Sequence, residues 1–376
     1  MKTLSRIVRH FRIYRRSRGQ GSADGPPFLI LFVNSRCNMR CGHCFYWRQL
    51  NHANDLSLQE MYRLSDELGT VENLNLSGGE PFLHDNLADI CRKFVRDNQT
   101  REIYIPTNGY YTQRTIEQLR QLLGEPSLRL VAVELSLDGL SEYHDAFRGV
   151  AGAFEHAMAT YRALAELAKT DSRLVIHAIS TASADNMDQV RQLSSYLYEH
   201  CPSMAHHNLA IIRGDRRSDS LAGPVLEEYS RLWQYIRRLW AAREVGRHGG
   251  IVEPMLHWAK VRAASQRRQV VPCRAGALTG VVYANGDVSL CEQHEPIGNL
   301  RQSSFAAIWR SHAARSLRKS IRAGQCHCTN EIFLWSSIAF QPLQLLYAMA
   351  AVRPWCRVKP LDGPRPRRLC QAGQST

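Results

Sequence analysis

Eight residues of the chain, Cys37-Asn-Met-Arg-Cys41-Gly-His-Cys44, carry three cysteines at C-x3-C-x2-C spacing. That spacing can turn three thiolates toward one point, and thiolate is a soft donor suited to iron–sulfur clusters and to zinc. The number of ligands decides the chemistry. A closed structural site takes four protein ligands, so three leave one metal position open. An open iron on a 4Fe–4S cluster can be chelated by a small molecule that carries both an amine and a carboxylate. A zinc knob completed by His43 or by a distant cysteine is the competing reading. A second set, Cys273, Cys291, Cys326 and Cys328, lies far down the chain. Between its first two members Asn285-Gly286 separates alternating apolar runs, the strongest short-range hairpin signal. A hairpin would bring Cys273 and Cys291 together. Cys91, Cys201, Cys356 and Cys370 belong to neither set and read as buried or incidental thiols.

The elements that must position these groups follow from the hydropathy pattern. An apolar run, Phe28-Leu-Ile-Leu-Phe-Val33, leads directly into the first cysteine set. From Phe28 to about Gly214 short apolar runs alternate with helical patterns, which predicts a parallel sheet with helices outside. Strands are expected over 28–34, 73–76, 102–106, 130–137, 174–180 and 208–212. Helices are expected over 57–68, 87–98, 112–123, 153–169, 186–199 and 226–242. Asp55 or Ser57 caps the first of these, with Glu60 three residues after Ser57. Three further motifs end strands: Leu76-Ser77-Gly78-Gly79-Glu80-Pro81, Pro106-Thr107-Asn108-Gly109 and Leu135-Ser136-Leu137-Asp138-Gly139. Ligands of such sheets sit beyond the carboxyl ends of the strands, where all four motifs fall. Residues 215–270 are basic and helical, and Trp233, Tyr235, Leu239 and Trp240 give that stretch a packed face.

These four motifs, in this order and at these strand ends, resemble the radical S-adenosylmethionine (SAM) superfamily across roughly residues 28–215. The resemblance implies an α/β fold, an open partial (β/α)6 TIM-like barrel, whose strand number agrees with the six expected here. It implies that Cys37, Cys41 and Cys44 hold a 4Fe–4S cluster whose free iron takes the methionyl amine and carboxylate of SAM. The backbone of Ser77, Gly78 and Gly79 would receive the amine, with Glu80 as charge partner, glycine letting backbone approach the ligand closely. Asn108 and Ser136 stand where SAM contacts fall in the family, with Asp138 nearby. Simple turn formation explains Asn108-Gly109 and Asp138-Gly139 equally well. His43 stands where an aromatic near the adenine is usual, or is a solvent-facing loop residue. One electron from the reduced cluster would break a carbon–sulfur bond of SAM, and the 5′-deoxyadenosyl radical would take a hydrogen atom from an unreactive carbon. The protein supplies orientation and exclusion of water. A reductant such as flavodoxin or ferredoxin is implied as a partner. Tyr46 and Trp47 read as packing, His177 as a core, surface or barrel-interior residue, and Arg213 as a candidate ligand for a carboxylate or phosphate.

The order Cys273-Arg-Ala-Gly, hairpin, Cys291, Ile297-Gly298-Asn299-Leu300, a helix at 304–310 and Cys326-His-Cys328 resembles the C-terminal auxiliary-cluster domain of radical SAM enzymes. That domain is called SPASM in its full form and twitch in its shorter one. Four grouped cysteines imply the one-cluster form, with a second 4Fe–4S cluster. The family spacing of the closing pair is C-x2-C and this chain has C-x-C. One of Cys326 and Cys328 therefore need not be a ligand, which leaves an open position or recruits His327. A zinc hairpin of four cysteines is the alternative.

A chain of 376 residues with 44% hydrophobic and 22% charged content is a folded, globular one. It reads as five regions: a basic segment and linker over 1–27, the core over 28–215, a helical connection over 216–270, the auxiliary domain over 271–330, and an apolar helical segment with a basic tail over 331–376. No apolar signal segment opens the chain and the cysteines cluster, so a cytoplasmic, reducing location is expected. The net charge is +14, and residues 1–18 hold seven Lys or Arg and no acid. Leu4, Ile7, Val8, Phe11 and Tyr14 recur there at helical spacing, the pattern of a helix lying on anionic lipid. A solvated tail is the second reading and nucleic acid the least favoured. Residues 332–352 lack any charge, but Pro342 argues for two short buried or interfacial helices rather than a span. With basic sequence at both ends, peripheral contact with the inner face of the membrane is expected.

The expected activity is that of a radical SAM oxidoreductase or transferase, with a lipid or lipid-linked glycan slightly favoured as substrate. A small molecule or a ribosomal peptide is the alternative. The 27 residues before the first strand are too few for the winged-helix recognition domain that peptide-modifying members often carry. A non-catalytic iron–sulfur relay or scaffold is the reading from another class.

Overall fold

The computed structural model describes residues 2–18, 25–244 and 249–353, excluding the side chains of 2–8 and 249–251. The side chains of Leu4, Ile7 and Val8, most of the linker, Cys356, Cys370 and the basic tail after Arg353 lie outside the described residues. After α1 (Lys2–Arg18), six parallel strands alternate with helices: β1 (Phe28–Phe32), α2 (Leu58–Glu67), β2 (Asn73–Ser77), α3 (Leu87–Asp97), β3 (Glu102–Thr107), α4 (Thr112–Leu123) and β4 (Leu130–Ser136). Then come α5 (Ser141–Arg148), α6 (Ala153–Thr170), β5 (Leu174–Ala182), α7 (Met187–His200) and β6 (Met204–Ile211). The expected elements are all present. Ser57 does cap α2: its hydroxyl accepts from the Glu60 N–H while the Glu60 carboxylate accepts from the Ser57 N–H at 2.8 Å. Two expectations needed correction. β6 starts four residues before the expected 208, and α5 falls where no element is expected from the sequence.

Helices α8 (Leu226–Glu244) and α9 (Gly249–Gln266) lead to β7 (Thr279–Val282), β8 (Asp287–Ser289) and β9 (Gly298–Asn299). Four helices close the chain: α10 (Phe305–Trp309), α11 (His312–Arg322), α12 (Glu331–Ala339) and α13 (Pro342–Val352). The Asn285-Gly286 hairpin forms, but with a three-residue loop over 284–286. The Tyr283 N–H donates to the Asp287 carbonyl at 2.8 Å, and only Gly286 takes a positive φ, +90°. The cysteine domain does not build a sheet of its own. β7 pairs in parallel with β1, giving one nine-stranded sheet in the order β6-β5-β4-β3-β2-β1-β7-β8-β9. β6 packs on α8, α8 on α9, α9 on α12 and α12 on β7, so helices fill the gap that six strands leave open.

Alternation along the strands separates two environments. Leu74, Leu76, Ile103, Ile105, Val131, Val133, Ile176 and Ala178 are buried beneath the outer helices. The opposite face lines the barrel interior with Asn73, Asn75, Tyr104, Glu134, His177, His206 and Asn208, an unusually polar lumen. At the amino end α1 docks on the barrel. Arg9 pairs with Glu72 at 2.7 Å, Ile13 is buried, and the Ser17 hydroxyl contacts the Phe340 carbonyl. One face of α1 is thus spent on protein, while Phe11 remains exposed.

Candidate active site and iron–sulfur sites

The first cysteine set lies on the loop leaving β1, and its backbone is held from three sides. Ser35 donates its N–H to Asp55 at 2.8 Å, and Asn51 clamps Cys37 by accepting from its N–H (3.0 Å) and donating to its carbonyl (3.2 Å). Arg40 donates its N–H to the Arg148 carbonyl at the end of α5, at 2.9 Å. Cys41 is buried, and Cys37 and Cys44 are half-buried. Burial pushes the Cys37 thiol up to about 12 and Cys44 to about 11, and the neighbouring sulfurs add to the rise. A metal must displace the protons of these thiols to bind. Three neighbouring thiols without a fourth ligand fit a polynuclear cluster with an open position.

The glycine motif meets this loop, and the fold itself gives a reason for the glycines. A Cβ on Gly78 would lie 2.3 Å from the Asn34 carbonyl oxygen, and one on Gly79 would lie 2.1 Å from that of Arg36. Gly78 also has φ +131°. The close approach is to the protein's own cluster loop, and the N–H groups of Gly79 and Glu80 donate to the Asn34 and Arg36 carbonyls at 2.9 and 2.7 Å. Glu80 is buried and fully committed. It accepts from the Asn108 N–H (2.7 Å), the Thr107 hydroxyl (2.8 Å) and the Phe82 N–H (3.2 Å). Burial raises its carboxyl to about 7 against the pull of those bonds. Its side chain joins the ends of β2 and β3.

Asn108 is likewise occupied: its Nδ2 donates to Asn38 in the cysteine loop at 2.9 Å, and its Oδ1 accepts from the Tyr110 N–H. Asp138 is fully buried, pairing with Arg148 at 2.5 Å and accepting from the Thr181 N–H at 2.8 Å. Glu80, Asn108 and Asp138 thus brace the strand ends and the loop around the cysteine set. Arg148 is the residue the sequence hid. Its Nη1 lies 3.8 Å from the Cys41 sulfur, so Asp138 and Arg148 place a guanidinium against the first site. Ser77 and Ser136 face the barrel interior, partly exposed. His43 stacks on Phe147 at 4.9 Å, and burial lowers it to about 4, so it is a neutral ring. Tyr46 packs on Phe32 and Tyr283, as read from the sequence.

Cys273, Cys291, Cys326 and Cys328 line one mainly apolar cavity of about 460 Å³, its open mouth included, with His327 and Gln269. Three sulfurs receive N–H donors: Cys273 from Ala275 (3.5 Å), Cys291 from Gln293 (3.5 Å) and Cys326 from Gln269 Nε2 (3.7 Å). Such donors favour thiolate and tune a bound cluster. The C-x-C pair does not divert either cysteine from the cavity. Arg213 finds its carboxylate within the chain, pairing with Glu292 at 3.0 Å beside Cys291.

Residues 31–193 match the model of the radical SAM superfamily, and residues 273–329 match that of an iron–sulfur cluster-binding domain, SPASM. The chain is a radical SAM protein with a C-terminal iron–sulfur domain, and a SAM-binding 4Fe–4S cluster and an auxiliary iron–sulfur site come with that assignment. It is 34% identical to Fe-coproporphyrin III synthase of Methanosarcina barkeri over 37% of this chain, spanning only 34% of that protein. It is 24% identical to the sporulation killing factor maturation protein SkfB of Bacillus subtilis, over 84% of this chain and 72% of that one. Among solved structures, SuiB of Streptococcus suis superposes with TM-score 0.56 at 15% identity, covering 85% of this chain and 73% of that one. SuiB has also been solved bound to S-adenosylmethionine and bound to its precursor peptide SuiA.

Proposed function

We propose that this protein is a radical SAM enzyme that modifies a peptide. The observation that carries the reading is that the similarity to SkfB runs through both domains over 84% of the chain, whereas similarity to the porphyrin enzyme stops at 37%. Cys37, Cys41 and Cys44 hold the first cluster, and Ser77, Gly78, Gly79, Ser136 and His43 line the place for SAM. Bound there, the cluster and SAM supply a 5′-deoxyadenosyl radical able to take a hydrogen atom from an unactivated carbon. The chain's own residues do the positioning. Glu80 fixes the ends of β2 and β3, Asn108 ties β3 to the cysteine loop, and Asp138 fixes Arg148 against Cys41. Helices α9 and α12 close the barrel side. Cys273, Cys291, Cys326 and Cys328 hold the second cluster. The test is anaerobic incubation of the reconstituted protein with SAM, a reductant and candidate precursor peptides. A peptide mass shift accompanied by 5′-deoxyadenosine is expected, and turnover on lipid extracts alone would reject the peptide.

A second reading is favoured by α13. Leu343 is 79% exposed and Leu346 63%, with Tyr347 and Met349 about half exposed, all on one short helix. Arg353 follows, and the sequence beyond it adds Arg357, Lys359, Arg365, Arg367 and Arg368. Apolar surface beside positive charge complements an anionic bilayer. Among the described residues no single helix is long and apolar enough to cross a membrane, and α12 and α13 meet at 110°. On this reading the enzyme works in the cytoplasm as a peripheral protein on the inner membrane face, where a lipid or lipid-linked glycan is within reach.

A further inference from the structure

We infer that the barrel lumen receives a cationic group of the substrate, an ammonium or guanidinium, against Glu134. Strand register places Glu134 on β4 beside Pro106 of β3 and His177 of β5, and His177 beside His206 of β6. All of them belong to the inward-facing set, one strand period below the layer that holds Ser136. The imidazoles of His177 and His206 lie 6.0 Å apart.

The charges around this row are unevenly paired. Four carboxylates meet here: Glu134 from the sheet, Glu244 from α8, Glu253 from α9 and Glu331 from α12. The last three have cationic partners, His206, Arg237 and Lys260, with His177 also acting on Glu253. His206 lies between Glu244 at 2.6 Å and Glu253 at 3.7 Å. Arg237 pairs with Glu244, and Lys260 pairs with Glu331 and donates to the Leu209 carbonyl. Glu331 also accepts from Asn208 Nδ2 at 2.6 Å. Among the described residues no side chain bonds or pairs with Glu134. Burial raises its carboxyl to about 7, with Glu331 adding to the rise and His206 opposing it.

A second atom of the lumen has the same need. Asn208, one strand period from His206 on the same face, buries its Oδ1 without a donor. Glu134 and Asn208 are both acceptors in want of donors on the same inward-facing row. An ammonium with three N–H groups, or a guanidinium with five, answers that deficit as a carboxylate, a phosphate or an acyl chain cannot. An unpaired carboxylate is costly to enclose, and an arriving cation removes that cost. The site therefore selects. This inference rests on the peptide reading above and narrows it to peptides that offer a lysine or arginine side chain to the barrel.

The test uses the full chain, reconstituted with iron and sulfide and saturated with SAM. The probes are four capped tripeptides, N-acetyl-Gly-X-Gly-amide with X as lysine, arginine, norleucine or glutamate, followed by equilibrium dialysis. The lysine and arginine peptides are expected to bind about tenfold tighter than the other two, as one charge-assisted contact away from bulk water would give. Glu134→Gln is expected to abolish that preference and Glu134→Asp to retain it, with iron content and circular dichroism confirming that each variant is folded. Equal binding of all four peptides, or a preference that survives in Glu134→Gln, overturns the inference. Failure of the peptide reading has a different signature: n-butylammonium and methylguanidinium still bind in a Glu134-dependent way while no peptide does, which upholds the cation site and rejects the peptide as its source.

Discussion

Gly79 shows most directly how one residue type supports the site. Its missing Cβ lets the β2 loop lie on the carbonyl of Arg36, and that contact supports the segment carrying Cys37. Gly79→Ala forces backbone to move at a cost of about 2–4 kcal/mol. Iron retained after reconstitution should fall from about eight atoms per chain to about four, the auxiliary site being untouched. Arg148 acts by charge. A guanidinium near Cys41 stabilises the electron added to a cluster there, so Arg148→Gln should shift its reduction potential tens of millivolts or more in the negative direction. A potentiometric titration read by electron paramagnetic resonance checks this, and an unchanged potential would reduce Arg148 to a packing role. His206 gives a pH dependence. Held between two glutamates, it is raised to about 10, and Glu253 is lowered to about 2. A raised histidine stabilises fully below its unfolded value near 6.5, and that contribution disappears as pH climbs through the folded value. The melting temperature should therefore decline between pH 7 and pH 10 by several degrees, with Glu253 contributing losses only below about pH 4.5.

At the scale of elements, what the sequence shows depends on whether a residue's partners are local. The cysteine loop, the glycine motif and the hairpin were readable because their spacing and backbone demands lie within a few residues. Several residues that complete the sites were not. Arg148 sits on α5, whose eight residues carry too short an apolar pattern to be read as a helix, and its partners are Asp138 and Cys41. Gln269 meets Cys326 only after α11 has turned back. The start of β6 was missed because His206 and His207 interrupt its apolar run. His206 is balanced by glutamates from two distant helices, and His207 bonds Ser180 at 2.8 Å. Glu134 looked like an ordinary polar residue of an alternating strand. α13 raises the opposite question, since its apolar face has no cover within the described residues. The paired change Leu343→Glu and Leu346→Glu should reduce sedimentation with vesicles containing phosphatidylglycerol by at least half. If the paired change leaves sedimentation intact, α13 is not the docking surface.

At the scale of the whole molecule, the continuous sheet is the feature that joins the two iron sites. β7 pairs directly with β1, the strand that leads into the first cysteine loop, and Arg213 at the exit of β6 reaches Glu292 beside Cys291. The auxiliary cavity is thus part of the barrel's own frame, in register with the first site. The expected order of elements matched the structure because βα alternation is a strong periodic signal. The pairing of β7 with β1 was not readable, since a four-residue strand carries no mark of its neighbour. Everything proposed for the reaction depends on the first loop holding a cluster with one open iron that takes SAM. Formation of 5′-deoxyadenosine by the anaerobically reconstituted, reduced protein tests this most directly. The expected result is SAM-dependent 5′-deoxyadenosine that persists when Cys273 and Cys291 are both changed to alanine and vanishes in Cys41→Ala. A wild-type protein that holds its full iron yet forms none, or a Cys41→Ala variant that still does, would contradict the assignment.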